Sequence, residues 1–126
     1  MISEETINKA VDIILDKILT PVLYMYADEI VEFVCFTDSG FDEEVFRNTE
    51  EILYEVLGLK CEILDIRVFS EFERVEIINS ATFLFAEAEL VKSLFEAAMI
   101  ADNERAQSVK ELAIERKAET GSYYYN

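Results

Sequence analysis

The side chains in this sequence best suited to chemistry are acidic, and the densest group follows an apolar run in the stretch VEFVCFTDSGFDEEVF, residues 31–46. Asp38, Asp42 and Glu44 stand where that run turns, and hard cations such as magnesium and calcium are held by clustered carboxylates. In open α/β sheets such a site lies just past the carboxyl end of a strand. The spacing DSGFDEE departs from the calcium-loop pattern, which sets acids or amides at alternate positions ahead of its glycine. Acids at a helix start also favour the helix dipole, by about 0.3–1 kcal/mol each. A turn with a helix cap is therefore the preferred reading of this corner, with Asp38, Asp42 and Glu44 kept as metal candidates.

Other catalytic chemistries are thinly supplied. The chain contains no histidine, which removes imidazole catalysis and most zinc sites. Cys35 and Cys61 each lie within apolar, strand-like runs. A nucleophilic cysteine needs a base and a positive neighbour to hold its thiolate, and only Lys60 stands beside either of them. Both are read as buried thiols in neighbouring strands rather than as a disulfide. Asp65 and Arg67 alternate along one apolar run, so a salt bridge between them is expected. Tyr24, Met25 and Tyr26 are read as core.

The elements that must position these groups can be traced from periodicity. Ser3 is an N-cap, and Ile7, Ala10, Val11, Ile14, Leu15, Ile18 and Leu19 follow at helical spacing up to Pro21. Residues 22–29 are ambiguous. IVEFVCF is apolar on nearly both faces, as a central strand is, and Gly40 marks the turn after it. A helix is expected from about Glu43 to Leu57, closed by Gly58, with Asn48 and Glu51 as an internal cap that would divide it. KCEILDIRVF reads as a second strand, so strand, helix and strand make a βαβ unit with parallel strands. Ser70 and Glu73 form a capping box ahead of a helix to about Asn79, and ATFLFA is a short strand or more helix. From Glu87 to about Ala118 one apolar face persists without Pro or Gly. The expected fold class is therefore α/β: a small, mostly parallel or mixed sheet of two to four strands. Around it stand an N-terminal helix, a crossover helix and a long C-terminal helix. Residues 1–119 are expected to form one domain and 120–126 a tail.

Charge narrows the partners. With 126 residues, of which 52% are apolar, the chain can bury one ordinary core. Its formal charge of -16 repels phosphate backbones and anionic lipids, so direct nucleic-acid or membrane binding is not expected. No apolar run approaches the ~20 residues of a membrane helix, and MISEETINKA lacks the pattern of a secretion signal. A cytoplasmic location is expected. Residues 1–86 carry nineteen acids and six bases, whereas 87–126 carry eight and five. Ten acids lie between Asp28 and Glu55 with only Arg47 against them, so one face of the strand-helix unit should project a strong negative field.

The succession of strand, acidic turn, EEILYEVLG, KCEILDI and FERVEIINSATFLFA resembles the second half of small nucleotidyltransferase domains of the polymerase-β-like superfamily, over about residues 30–88. In those domains a helix ends in Leu-Gly, a strand carries an acidic residue, and a further helix leads into a short apolar segment. The resemblance also implies what an active member needs. A Gly-Ser turn is followed about ten residues later by an Asp-x-Asp pair on the next strand, and together these hold nucleotide phosphates and two magnesium ions. Here YMYADEIVEFV has no Gly-Ser, the only stand-ins for the acid pair are Asp28, Glu29 and Glu32, and Glu62 takes the place of the third carboxylate. A two-metal site needs converging carboxylates and a grip on phosphate, so this copy is expected to be inactive and to need no cofactor.

Two classes of function follow. The preferred expectation is a non-catalytic nucleotidyltransferase-like domain that works through protein contacts, which suits the antitoxin role that some such proteins play beside a basic, RNA-cleaving helical partner. The enzyme alternative is a divergent magnesium-dependent nucleotidyltransferase using Glu32, Asp38 and Glu62. An acidic immunity protein or nucleic-acid mimic would share the charge without a pocket. A helix of ~30 residues is ~45 Å long, beyond the width of a domain this size. Val109, Leu112 and Ala113 on its far end are therefore expected to meet a partner, most simply a second copy in a homodimer, unless the helix breaks near ADNER.

Overall fold

The computed structural model describes residues 2–27, 29–37 and 42–120, with side chains as far as Val109. The elements run α1 (Glu4–Lys17), β1 (Val22–Ala27), β2 (Val31–Cys35), α2 (Glu43–Leu57), β3 (Cys61–Asp65), a 3-10 turn (Ile66–Val68), α3 (Glu71–Ser80), β4 (Thr82–Ala86) and α4 (Glu89–Thr120). One mixed sheet has the order β3-β2-β1-β4. β1 is antiparallel to both β2 and β4, while β2 and β3 are parallel across the α2 crossover. The α/β architecture expected from the periodicity is the one the chain adopts.

Local chemistry sets the helix ends. The Ser3 side chain accepts from the Thr6 N–H and the Asp42 side chain from that of Val45. Ser70 and Glu73 satisfy each other's backbone N–H groups in a reciprocal box. Gly58 closes α2 at φ 65°, a left-handed conformation that glycine adopts without the steric cost of a Cβ.

Alternation along the strands divides the core into two layers. Leu23, Met25, Phe33, Cys35 and Ile63 face Ala10 and Ile14 of α1 and Phe46 and Leu53 of α2. Val22, Tyr24 and Val34 face Ile77 of α3 and Phe95 and Met99 of α4. β2, flanked on both sides, is the interior strand that its two-sided apolar pattern implied.

Several boundaries differ from expectation. Residues 22–27 are a strand, and ATFLFA supplies β4. α1 stops at Lys17, leaving Ile18 buried and Leu19 83% exposed. α2 is unbroken: Thr49 hydrogen-bonds to the Val45 carbonyl one turn back, so Asn48 does not act as a cap. The second strand is half the expected length, because Asp65 caps a 3-10 turn where a strand through Phe69 was expected. α4 does not break at ADNER, where Arg105 pairs with Asp102 along the helix at 2.8 Å. Its 32 residues span about 48 Å.

The end of β3 is fixed by a buried carboxylate. Asp65 is 0% exposed, and Thr37 donates to its Oδ2 through the backbone N–H (2.9 Å) and the hydroxyl (3.0 Å). The Arg67 N–H donates to Oδ1 at 3.0 Å, and the Arg67 guanidinium reaches both oxygens at 3.1 Å. That guanidinium also donates to the Thr37 carbonyl and lies 4.2 Å over the Phe36 ring. The expected Asp65–Arg67 pair is present, formed by a turn rather than by a continuing strand. At the same end of the hairpin the Thr20 hydroxyl donates to the Val22 carbonyl at 2.7 Å and accepts the Phe36 N–H at 2.9 Å.

Replacing Asp65 with Ala would strand buried donors of Thr37 and unpair Arg67. A loss of about 2–4 kcal/mol in denaturant-determined stability is expected, at the lower end of the range for buried pairs because Arg67 is half-exposed. A loss below about 1 kcal/mol would mean that the network is not what holds the strand ends together.

Candidate functional site

β2 and β3 begin on the same side of the fold, and their first outward-alternating residues are acidic. Glu32 pairs in register with Glu62, and Tyr26 of β1 pairs with Glu32, so the three share one row of the α3/α4 face. Glu32 is half-buried and Glu62 exposed. The Tyr26 hydroxyl is pushed above its ordinary pKa, first by burial and then by the negative charges of Glu76 and Glu32. Adjacent strands lie about 4.8 Å apart, close enough for two carboxylates to share a cation.

Among the described residues the rest of a metal site does not assemble around that row. Residue 30, which an Asp-x-Asp ending at Glu32 would make acidic, is Ile30, 46% exposed. Among the described residues no three carboxylates or thiols are grouped to hold a metal ion. β1 and β2 are joined through residues 28–30 alone. That connection has no glycine or serine and no room for a loop of about ten residues. The described residues do not bring together the ligands of a two-magnesium nucleotide site.

The metal candidates at the opening corner fall elsewhere. Asp42 is the N-cap of α2 and Glu44 lies exposed in that helix's first turn. Both lie beyond the far end of β2, so neither joins Glu32 and Glu62. Asp38, like Asp28 and Gly40, lies outside the described residues. Of the residues expected to meet a partner, Val109 is 67% exposed, and the side chains of Leu112 and Ala113 lie outside the described set.

Two polar assemblies could not be read from the sequence. On the outer side of β3, Glu50 accepts the Ile63 N–H at 2.7 Å while Arg47 donates to the Ile63 carbonyl at 2.9 Å, and the two side chains pair at 2.7 Å. Burial raises the Glu50 pKa despite these favourable contacts. The only signal was the i, i+3 spacing of Arg47 and Glu50 on α2. Across the sheet, the buried Tyr24 hydroxyl donates to Glu96 at 2.7 Å, and Lys92 reaches the same oxygen at 3.0 Å. Burial, then Glu96, raises the Tyr24 pKa. Residues 72 positions apart carry no local signal.

The arrangement on α2 is electrostatic. Its one cation, Arg47, is turned onto β3, while Glu43, Glu44, Glu51 and Glu55 remain exposed. A groove of about 620 Å³ between α2 and β3 has Arg47, Glu50, Lys60 and Cys61 in its walls. The Cys61 thiol there is pushed up to about 12 by burial, then by Glu50, so it is no nucleophile at neutral pH. Burial and the Asp65 charge do the same to Cys35.

No protein-family model and no curated protein matches this chain. Solved structures do. A chain of the MntA–HepT toxin–antitoxin crystal structure superposes with a TM-score of 0.74 at 15% identity, covering 90% of this chain and 97% of that one. The complex of a tri-AMPylated Shewanella oneidensis HEPN toxin with its MNT antitoxin gives 0.73 at 15%, covering 90% and 96%. A further Shewanella oneidensis structure gives 0.74 at 12%, covering 91% and 98%. The fold is that of a minimal nucleotidyltransferase.

The two raised thiol pKa values, with that of Tyr24, set a pH dependence. Unfolding releases these groups to ordinary values, about 8.5 for Cys and 10 for Tyr, so above pH 8.5 the unfolded chain binds fewer protons than the native one. Their contribution is complete below about pH 8.5 and falls as pH rises towards 12. Melting temperature should therefore drop steadily between pH 8.5 and 11, and native protein should resist a thiol reagent until it unfolds. Rapid labelling of Cys35 at pH 8 would place its strand in contact with solvent.

Proposed function

We propose that this chain is a non-catalytic nucleotidyltransferase-like domain that acts by binding a protein partner, as an antitoxin does. The observation that carries the reading is the β1–β2 connection of residues 28–30. Nucleotide transfer depends on positioning phosphates and metals, and a three-residue connection ending in Ile30 offers neither the Gly-Ser cradle nor the first acid of an Asp-x-Asp pair ending at Glu32. Without that grip, the useful property of the fold is its surface.

The acidic side of α2 supports a basic partner. Exposed glutamates with their one helical cation turned inward steer a positively charged protein and complement it once bound, raising association rates by about 10- to 1,000-fold at low salt. The similarity to an MNT antitoxin in complex with a HEPN toxin fits the same role. The far end of α4, with Val109, Leu112 and Ala113, extends the contact beyond the α/β body. Such a pair works in the cytoplasm without this chain touching nucleic acid.

One observation favours the alternative, a divergent magnesium-dependent nucleotidyltransferase using Glu32, Asp38 and Glu62: Glu32 and Glu62 stand side by side. Calorimetry with ATP, GTP and CTP in excess magnesium separates the two readings. No heat of binding is expected. A micromolar site abolished by Glu62→Gln would revive the enzyme and remove the proposal.

A further inference from the structure

The two edges of the sheet are finished differently. At the β3 edge, Arg47 and Glu50 take up the carbonyl and N–H of Ile63 and so occupy the place of a neighbouring strand. Such blocking is how soluble proteins protect an edge from pairing with another chain. At the β4 edge, no side-chain or backbone hydrogen bond from another element meets the strand's outer side among the described residues. β4 is also the most exposed strand, with Thr82 exposed and Phe83 41% exposed. A groove of about 610 Å³ follows it, lined by Phe83, Leu84, Phe85, Ala86, Glu89 and Lys92.

We propose that β4 is a self-association edge, where a second copy of the chain adds its own β4 antiparallel about a two-fold axis. Charge selects this occupant. A two-fold axis sets each stretch of an edge against its own copy, and like charges placed opposite one another repel. The ten residues 77–86, IINSATFLFA, hold no charge in a chain of net charge -16, so strand meets strand without like charges opposed, while Lys92, 4.8 Å over the Phe83 ring, and Glu89 of opposite sign line the groove beside it. The β3 edge, KCEILDIR, carries Lys60, Glu62, Asp65 and Arg67 and lacks that property. A basic partner would be selected by acids along the strand, and β4 has none. Phe83, half in water, gains an apolar neighbour across the new pair. The proposal does not rest on the antitoxin reading, because sheet order puts β4 at the edge opposite α2 and β3 and leaves the acidic side free.

A contact built on five residues per copy falls short of the ~1,200 Å² of a standard interface, so the dimer is weak and concentration-dependent. Sedimentation equilibrium of the full chain from about 10 to 500 µM spans the range expected for such an interface. The wild type should show a monomer–dimer equilibrium. Thr82→Lys, an exposed edge charge, and separately Phe83→Lys should each weaken it at least tenfold with unchanged circular dichroism. Val109→Asp should leave it intact. A wild type that stays monomeric throughout overturns the proposal. So does a dimer that survives Thr82→Lys and Phe83→Lys, or one that is lost only with Val109→Asp.

Discussion

A carboxylate removed from water is the constraint around which this fold is arranged. Isolating Asp65 would cost several kcal/mol, and the chain offsets that with donors from Thr37 and Arg67. Those donors come from the two strand ends that must meet. Satisfying the charge therefore aligns β2 with β3, ends β3 early, and turns the chain towards α3. The guanidinium that closes the network stacks on Phe36, beside the Phe95 ring of α4, so the same cation ties the sheet to its helical cover.

From that fixed end the opposite end of the sheet follows. Parallel register between β2 and β3 sets Glu32 beside Glu62, and the hairpin with β1 adds Tyr26. What an enzyme would build above this row is the connection between β1 and β2, and three residues are too few for a loop that wraps phosphates. Glu32 and Glu62 set two negative charges side by side on the α3/α4 face.

How much of this was legible in the sequence depends on the distance over which each signal acts. Caps at Ser3, Ser70 and Gly58, and the helices they bound, are set by neighbours within four residues and could be read directly. The parallel βαβ unit followed from order alone. Strand lengths misled where a tertiary hydrogen bond overrode periodicity: IRVF has a strand's alternation, yet Asp65 caps a turn within it. The hairpin strand at residues 22–27 looked ambiguous because it is buried on both faces, and an apolar run without alternation does not separate strand from helix. For the site, Glu32 and Glu62 were legible through the family resemblance, and Asp42 through its position as a cap. The Arg47–Glu50 pairing onto Ile63 and the Tyr24–Glu96 contact were not, since each joins elements whose adjacency only the fold creates.

The central claim is that partner binding, not nucleotide transfer, is what this fold now performs. Its most direct measurement is the intact mass of a basic protein partner co-expressed with this chain and purified as a complex with it. The account predicts that the partner is held at its unmodified mass, and equally so with Glu32→Gln and Glu62→Gln. A partner carrying nucleoside-monophosphate increments that vanish with Glu62→Gln would contradict it.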